Sequence, residues 1–155
     1  MTSLEQDDTF KPVMWQDDAV SLLDQRRLPQ QHQYNQYRTA AEVATAIRDM
    51  VVRGAPAIGI TAAYAIVLAA RQRYAESATD WRSLIESDLQ QLAASRPTAV
   101  NLFWAIERMR HRLRDIEGDP VDTLLQEAKA IHAEDIAANL KMGEFGASLI
   151  DKGSS

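Results

Sequence analysis

Hydrophobic positions along the chain fall into two regimes. The first forty residues show short apolar runs separated by polar clusters, and the rest shows apolar residues recurring at helical spacing. Phe10–Asp24 carries two brief apolar runs on either side of Gln16-Asp17-Asp18, which predicts a β-hairpin with Pro12 at an edge or at the strand start. Gln25–Tyr37 is polar and glutamine-rich, with Pro29 as a breaker, and reads as an extended connection.

Thr39 followed three residues later by Glu42 is a capping box, and Val43, Ile47 and Met50 then repeat at helical spacing. Gly54 and Pro56 end that run. Pro56 suits the first turn of a second helix, whose apolar residues continue through Ala70 or Tyr74. A third helix follows, with Thr79 as a candidate cap and Trp81, Leu84, Ile85, Leu89 and Leu92 on its buried side. After "SRPTAVN" a fourth places Val100, Phe103, Trp104, Ile106, Met109 and Leu113 on its apolar side. A last helix is capped by Asp119, with Pro120 in its first turn and Asp122 near its positive end, and Gly143 and Gly146 kink or end it. The expected fold class is α+β: a small N-terminal β element followed by a bundle of four or five helices. Residues 1–9 read as a tail, 10–37 as the β-containing element and connection, and 38–150 as the helical domain. Residues 151–155 read as the start of a connection onward.

Composition narrows the function classes. A chain of 155 residues can bury a core, roughly 70% of its unfolded surface. A net charge of -5 gives no general nucleic-acid footprint and suits a soluble cytoplasmic protein. The polar, acidic start carries no secretory signal. The apolar stretch from Ala55 to Ala70 is alanine-rich, interrupted by Thr61 and Tyr64, and short for a bilayer, so it reads as a buried helix and not a membrane span. With no cysteine, these residues offer no disulfide, thiolate metal site or cysteine nucleophile. His32, His111 and His132 lack metal-ligand spacing and read as surface or packing residues. Trp15, Trp81 and Trp104 read as core or contact residues. Adjacent Glu134 and Asp135 point apart on a helix and form no acid–base pair.

Two turns share a design. In "VRGAPAIG" and "SRPTAVN", Arg53 and Arg96 each precede a break and a helix start. Helix starts present unpaired amides and a positive dipole end, and an arginine adds a planar fork suited to phosphate oxygens. Two such starts brought together would clamp one phosphate. The same arginines would serve equally as surface residues or carboxylate partners. Thr98 and Asn101 read either as hydrogen-bonding side chains of such a site or as capping and surface residues.

"LLDQRRLP", "IRDMVVRGAPAIGITAAYA", "SRPTAVNLFWAIERM" and "EDIAANLKMGEFGASLI" together resemble the methylthioribose-1-phosphate isomerase family, in the same order and over nearly the whole chain. The pair "VRGAPAIG" and "SRPTAVNL" also resembles the wider superfamily of ribose-1,5-bisphosphate isomerases and regulatory subunits of translation initiation factor 2B. The resemblance implies the N-terminal part of a larger isomerase, followed in the family by a Rossmann-like domain. It implies conversion of 5-methylthioribose 1-phosphate to 5-methylthioribulose 1-phosphate in methionine salvage, by a phosphoenolate or a hydride-transfer route. No nucleotide or redox cofactor and no metal is implied. Arg53 and Arg96 match the family's phosphate-contacting arginines, and Gly54 and Ala55 match its substrate-facing turn. The family's catalytic cysteine, in a "THCNAG"-like segment, and its catalytic aspartate fall beyond these residues. No catalytic residue is therefore assigned, and this chain alone is expected to be inactive. A homodimer is implied for the full-length protein, without nucleic-acid or membrane partners. The alternative class is a noncatalytic module for sensing sugar phosphates or nucleotides and for assembly.

Overall fold

The computed structural model describes residues 12–27, 30, 33–52 and 54–135. The expected hairpin forms from β1 (Val13–Gln16) and β2 (Ala19–Leu23), paired antiparallel. Its two-residue turn is Asp17-Asp18, both at positive φ (54° and 56°). That geometry matches the right-handed twist of the flanking strands, and short polar side chains tolerate it. Pro12 precedes β1, and its carbonyl accepts from the Leu23 amide at 3.0 Å.

The connection expected over Gln25–Tyr37 contains a third strand. A short 3-10 turn (Gln25–Arg27) leads to β3 (Tyr34–Tyr37), which pairs antiparallel with β2 and completes a sheet in the order β1-β2-β3. β3 has no alternating apolar face to announce it. It is held by its ladder and by the buried carboxylate of Asp24. That group accepts from Arg26 through its backbone amide (3.0 Å), Nε (3.0 Å) and Nη2 (2.9 Å), and from Asn35 Nδ2 of β3 (3.3 Å). The Arg26 guanidinium draws the Asp24 pKa down to about 2. A carboxylate held below its unfolded value of about 3.9 stabilises the fold above that pH and loses the contribution as pH falls through 2. Denaturation midpoints measured from pH 5 to pH 2 should therefore fall more steeply for the wild type than for Asp24→Asn. Parallel curves would remove Asp24 from the acid response.

Helix α1 (Ala40–Arg48) starts as expected: Thr39 Oγ1 accepts from the Glu42 amide, and Glu42 Oε1 accepts from the Thr39 amide, both at 3.2 Å. Met50 departs from the expectation. It lies past the helix end, exposed, with φ 66°. The Val51 amide donates to Ala46 O (3.0 Å) and the Met50 amide to Ile47 O (3.2 Å). This paired closure puts Met50 at the left-handed position that glycine usually fills. A Cβ there costs energy, so Met50→Gly should stabilise the protein by about 1 kcal/mol. A lowered urea midpoint would contradict this.

Helix α2 (Ala55–Glu76) is the axis of the bundle, buried without a break from Ile58 to Ala70. Its length and hydropathy would let it cross a membrane, yet 72% of that stretch is buried inside the protein. Helix α3 (Trp81–Ser95) buries Trp81, Ile85, Leu89 and Leu92 but leaves Leu84 exposed. Asp80, not Thr79, occupies its N-cap position. Ser77 Oγ accepts from the Asp80 amide at 3.0 Å, so the side-chain cap sits one turn earlier. Arg73 of α2 grips Asp88 of α3 with two bonds, at 2.8 and 3.2 Å.

Helix α4 (Val100–Leu113) packs against α2 and buries Leu102, Ala105, Ile106, Met109 and Leu113. Val100, Phe103 and Trp104, expected on that side, are exposed. The two sets sit on different flanks because the apolar residues occupy more than one stripe of the helix. Residues 121–135 form α5, with Leu124, Ala128 and Ile131 buried. Asp119 Oδ1 accepts from the Val121 amide (3.0 Å), and the Pro120 carbonyl accepts from Leu124 (3.0 Å). Pro120 thus takes the N-cap position, one residue later than expected, and Asp119 supplies its side-chain acceptor from the residue before it. Arg108 of α4 ties α5 down through Glu127 and Glu134.

Candidate functional site

The turn before α2 is made possible by Gly54, at φ 91°, a backbone region that L side chains rarely enter. Gly54 is the N-cap of α2 and supplies no side-chain cap; Ala55 and Pro56 follow, exposed, in the first turn. Arg53 lies outside the described residues, as do His32, Pro29, Gly143, Gly146 and the expected end segments 1–9 and 151–155.

The second turn follows the same plan. Arg96 closes α3, its carbonyl accepts from the Ala99 amide at 3.0 Å, and Ala99 begins α4 without a side-chain cap. Thr98 is exposed, and neither helix start has a side-chain cap from its N-cap residue.

The fold brings these two helix starts together. A Cβ built on Gly59, in α2, would lie 3.0 Å from the Asn101 carbonyl oxygen in the first turn of α4. Only a residue without a side chain lets the two backbones come so close. Pro56, Gly59 and Asn101 line a common cleft of about 180 Å³, with Trp104 and α5 residues closing the far side. Arg96 is half-buried. Its Nη1 is shielded from solvent and has no hydrogen-bond partner among the described residues. A buried guanidinium nitrogen left unpaired costs free energy that a ligand oxygen would recover.

A larger cavity of about 710 Å³ adjoins the α2 turn. It runs from Gly54, Pro56 and Ala57 past Ile60 and Tyr64, between β1 and α5. Trp15 of β1 stacks on Tyr64 with ring centroids 5.5 Å apart and planes at 20°. Tyr64 Oη is 2.8 Å from His132 Nδ1 of α5, and burial pushes the phenol up to about 12, so it stays protonated across the physiological range. Asp135 lines both cavities, whereas its neighbour Glu134 also pairs with Arg108.

The sequence alone reads His132 as a surface or packing residue, Trp15 as a core or contact residue and Tyr64 as an interruption of an apolar run. A polar aromatic in the middle of an otherwise aliphatic helix was the available signal, since a buried phenol needs a partner. Among the described residues no group of three or more histidine, cysteine or acidic side chains could hold a metal. The described residues around these cavities can bind and orient a ligand.

Comparison with known proteins places this geometry. The model of the initiation factor 2 subunit family matches residues 51–155. The methylthioribose-1-phosphate isomerase of Methylococcus capsulatus is 56% identical over 138 residues, covering 89% of this chain and 39% of the relative. That of Pseudomonas aeruginosa is 57% identical over 144 residues, covering 92% and 40%. The chain thus spans about two fifths of the length of the curated relatives it matches. Two solved structures share the fold at 37% identity. One is 5-methylthioribose 1-phosphate isomerase from Pyrococcus horikoshii (TM-score 0.82, covering 89% of this chain and 40% of that one). The other is the delta subunit of translation initiation factor eIF-2B from A. fulgidus (TM-score 0.83, covering 90% and 42%).

Proposed function

This chain belongs to the initiation factor 2 subunit family, and from that premise we propose that it is the substrate-positioning part of an aldose–ketose isomerase acting on 5-methylthioribose 1-phosphate. In this reading Arg53 and Arg96 hold the phosphate, and the backbone at Gly54 and Ala55 faces the sugar. Downstream residues supply the groups that move hydrogen between C1 and C2. The observation that carries it is the buried Nη1 of Arg96, without a hydrogen-bond partner among the described residues, close to the start of α4, which has no side-chain cap from its N-cap residue. A dianionic phosphate there would pair the guanidinium, meet the helix dipole, and accept from free amides. Positioning of this kind supplies catalysis by fixing the reacting carbons relative to the acid–base groups. The same reading includes a cytoplasmic, homodimeric full-length protein with no nucleic-acid or membrane partner.

The test is turnover of 5-methylthioribose 1-phosphate by the full-length protein, by this 155-residue chain alone, and by the chain mixed with its separately produced downstream half. Activity is expected in the first and third samples and absent from the second. A folded full-length protein without turnover would overturn the isomerase reading. A noncatalytic sensing or assembly module is the second reading, favoured by the equal fold likeness to the initiation-factor subunit. Sugar-phosphate or nucleotide binding without turnover would establish it.

A further inference from the structure

On the isomerase reading above, we infer that Asp24, in the elbow after β2, is a positioning residue for the phosphate clamp. It shapes the bend whose next amide holds Val51, and Val51 sets where the Gly54 turn stands.

The Asp24 side chain is buried and closes its own bend. Its Oδ1 accepts from the Arg26 amide, two residues on, at 3.0 Å, which makes an Asx turn. The Arg26 guanidinium locks the same carboxylate through Nε and Nη2, and the Asp24 carbonyl accepts from the Arg27 amide at 3.2 Å. These bonds fix the direction of the amide that lies between them. That amide, of Gln25, leaves the elbow and donates to the Val51 carbonyl at 2.8 Å.

Val51 is thereby held from two sides: its amide donates to Ala46 of α1 and its carbonyl accepts from the elbow. Val51 and Val52 are also buried, but apolar burial has no direction, whereas a hydrogen bond prescribes both distance and angle. Only Val52 and Arg53 separate Val51 from Gly54, a reach of about 10 Å at most. Beyond Gly54, α2 is anchored by its own burial from Ile58 onward. A turn strung so closely between two anchors moves when either anchor moves. If the elbow opens, Val51 drifts, and the groups proposed to hold the phosphate drift with it; a misplacement of about 1 Å is enough to degrade such a site. The phosphate keeps its charge while hydrogen moves between C1 and C2. The clamp therefore binds ground state and transition state alike, and its loosening is read in KM.

The experiment measures KM and kcat for 5-methylthioribose 1-phosphate, with thermal melts, on the full-length wild type and its Asp24→Ala, Asp24→Asn, Gln25→Pro and Asp88→Ala variants. Asp24→Ala should raise KM about tenfold and change kcat by less than about threefold. Asp24→Asn keeps an oxygen for the Arg26 amide and loses the ion pair, so its Tm should fall while KM stays within about threefold of the wild type. Gln25→Pro deletes the amide that reaches Val51 and leaves Asp24 and Arg26 in place. It covers the case in which alanine at position 24 prevents folding, and it should also raise KM about tenfold. Asp88→Ala breaks the two-bonded pair with Arg73, which stands roughly 28 Å along α2 from Gly54. That variant should lose Tm with KM unchanged. An unchanged KM in folded Asp24→Ala and Gln25→Pro would make Asp24 a structural residue only, overturning the inference and leaving the isomerase reading standing. A KM that rises as much in Asp24→Asn or Asp88→Ala as in Asp24→Ala would overturn it too, since KM would then follow stability alone. No turnover by the wild type would overturn both.

Discussion

Replacing Arg96 by alanine in the full-length protein is expected to weaken sugar-phosphate binding between about tenfold and a hundredfold while leaving the ligand-free protein as stable as before. The two halves of this expectation have one cause. Arg96 Nη1 is buried and has no hydrogen-bond partner among the described residues. Its removal deletes no protein–protein hydrogen bond from that atom and relieves a desolvation penalty. With phosphate bound, the same nitrogen would make a charge-assisted bond worth about 1.5–3 kcal/mol. Arg96→Lys should recover part of the affinity, because a point charge keeps the attraction and loses the planar fork. Calorimetric titration with the sugar phosphate, paired with thermal melts of the ligand-free variants, separates these effects. A large loss of melting temperature with unchanged affinity would make Arg96 a structural residue and remove it from the clamp.

Local signals in the sequence carried far where one residue decides one backbone event. Thr39 and Glu42 fix the start of α1 by a reciprocal pair of bonds, and Asp17-Asp18 fixes the hairpin turn by tolerating positive φ. Both are readable without knowing what packs where. β3 was not readable. Tyr34–Tyr37 has no alternating face, and its place is set by Asp24 and by the edge of β2, both distant in sequence. The exposed face of α4 fails for the opposite reason: Val100, Phe103 and Trp104 are apolar, but helical period alone cannot say which of two apolar stripes meets α2. Trp104 instead lies under the Arg108 guanidinium, 5.4 Å from its ring centroid, which shelters one face.

The candidate site divides along the same line. Gly54, Ala55, Arg53 and Arg96 stand out as sequence because arginine, glycine and proline at helix boundaries announce themselves. What joins the two turns is a close approach between Gly59 and the Asn101 backbone, which becomes visible only when α2 and α4 are packed. The Trp15–Tyr64–His132 line is likewise assembled from a strand and two helices. Aromatic residues in an apolar context read as core until the cavity beside them is seen.

That close approach makes Gly59→Ala the second consequential substitution. In an exposed helix interior the change would be favourable by about 1 kcal/mol, since alanine loses less backbone freedom than glycine. Here the new Cβ would meet the Asn101 carbonyl oxygen at 3.0 Å, and that oxygen belongs to a backbone, not to a side chain that can swing away. Either α4 moves outward or strain remains, and overpacking of this kind costs about 1–3 kcal/mol. The net expectation is destabilisation by up to about 2 kcal/mol. The catalytic cost should exceed the stability cost, because displacing the first turn of α4 would carry the Arg96 turn away from Gly54 and break the geometry proposed to hold the phosphate. Urea melts and kcat/KM of the full-length variant measure the two together. A Gly59→Ala protein that is more stable, with turnover intact, would mean that α2 and α4 separate at no cost and that the two helix starts do not act as one site.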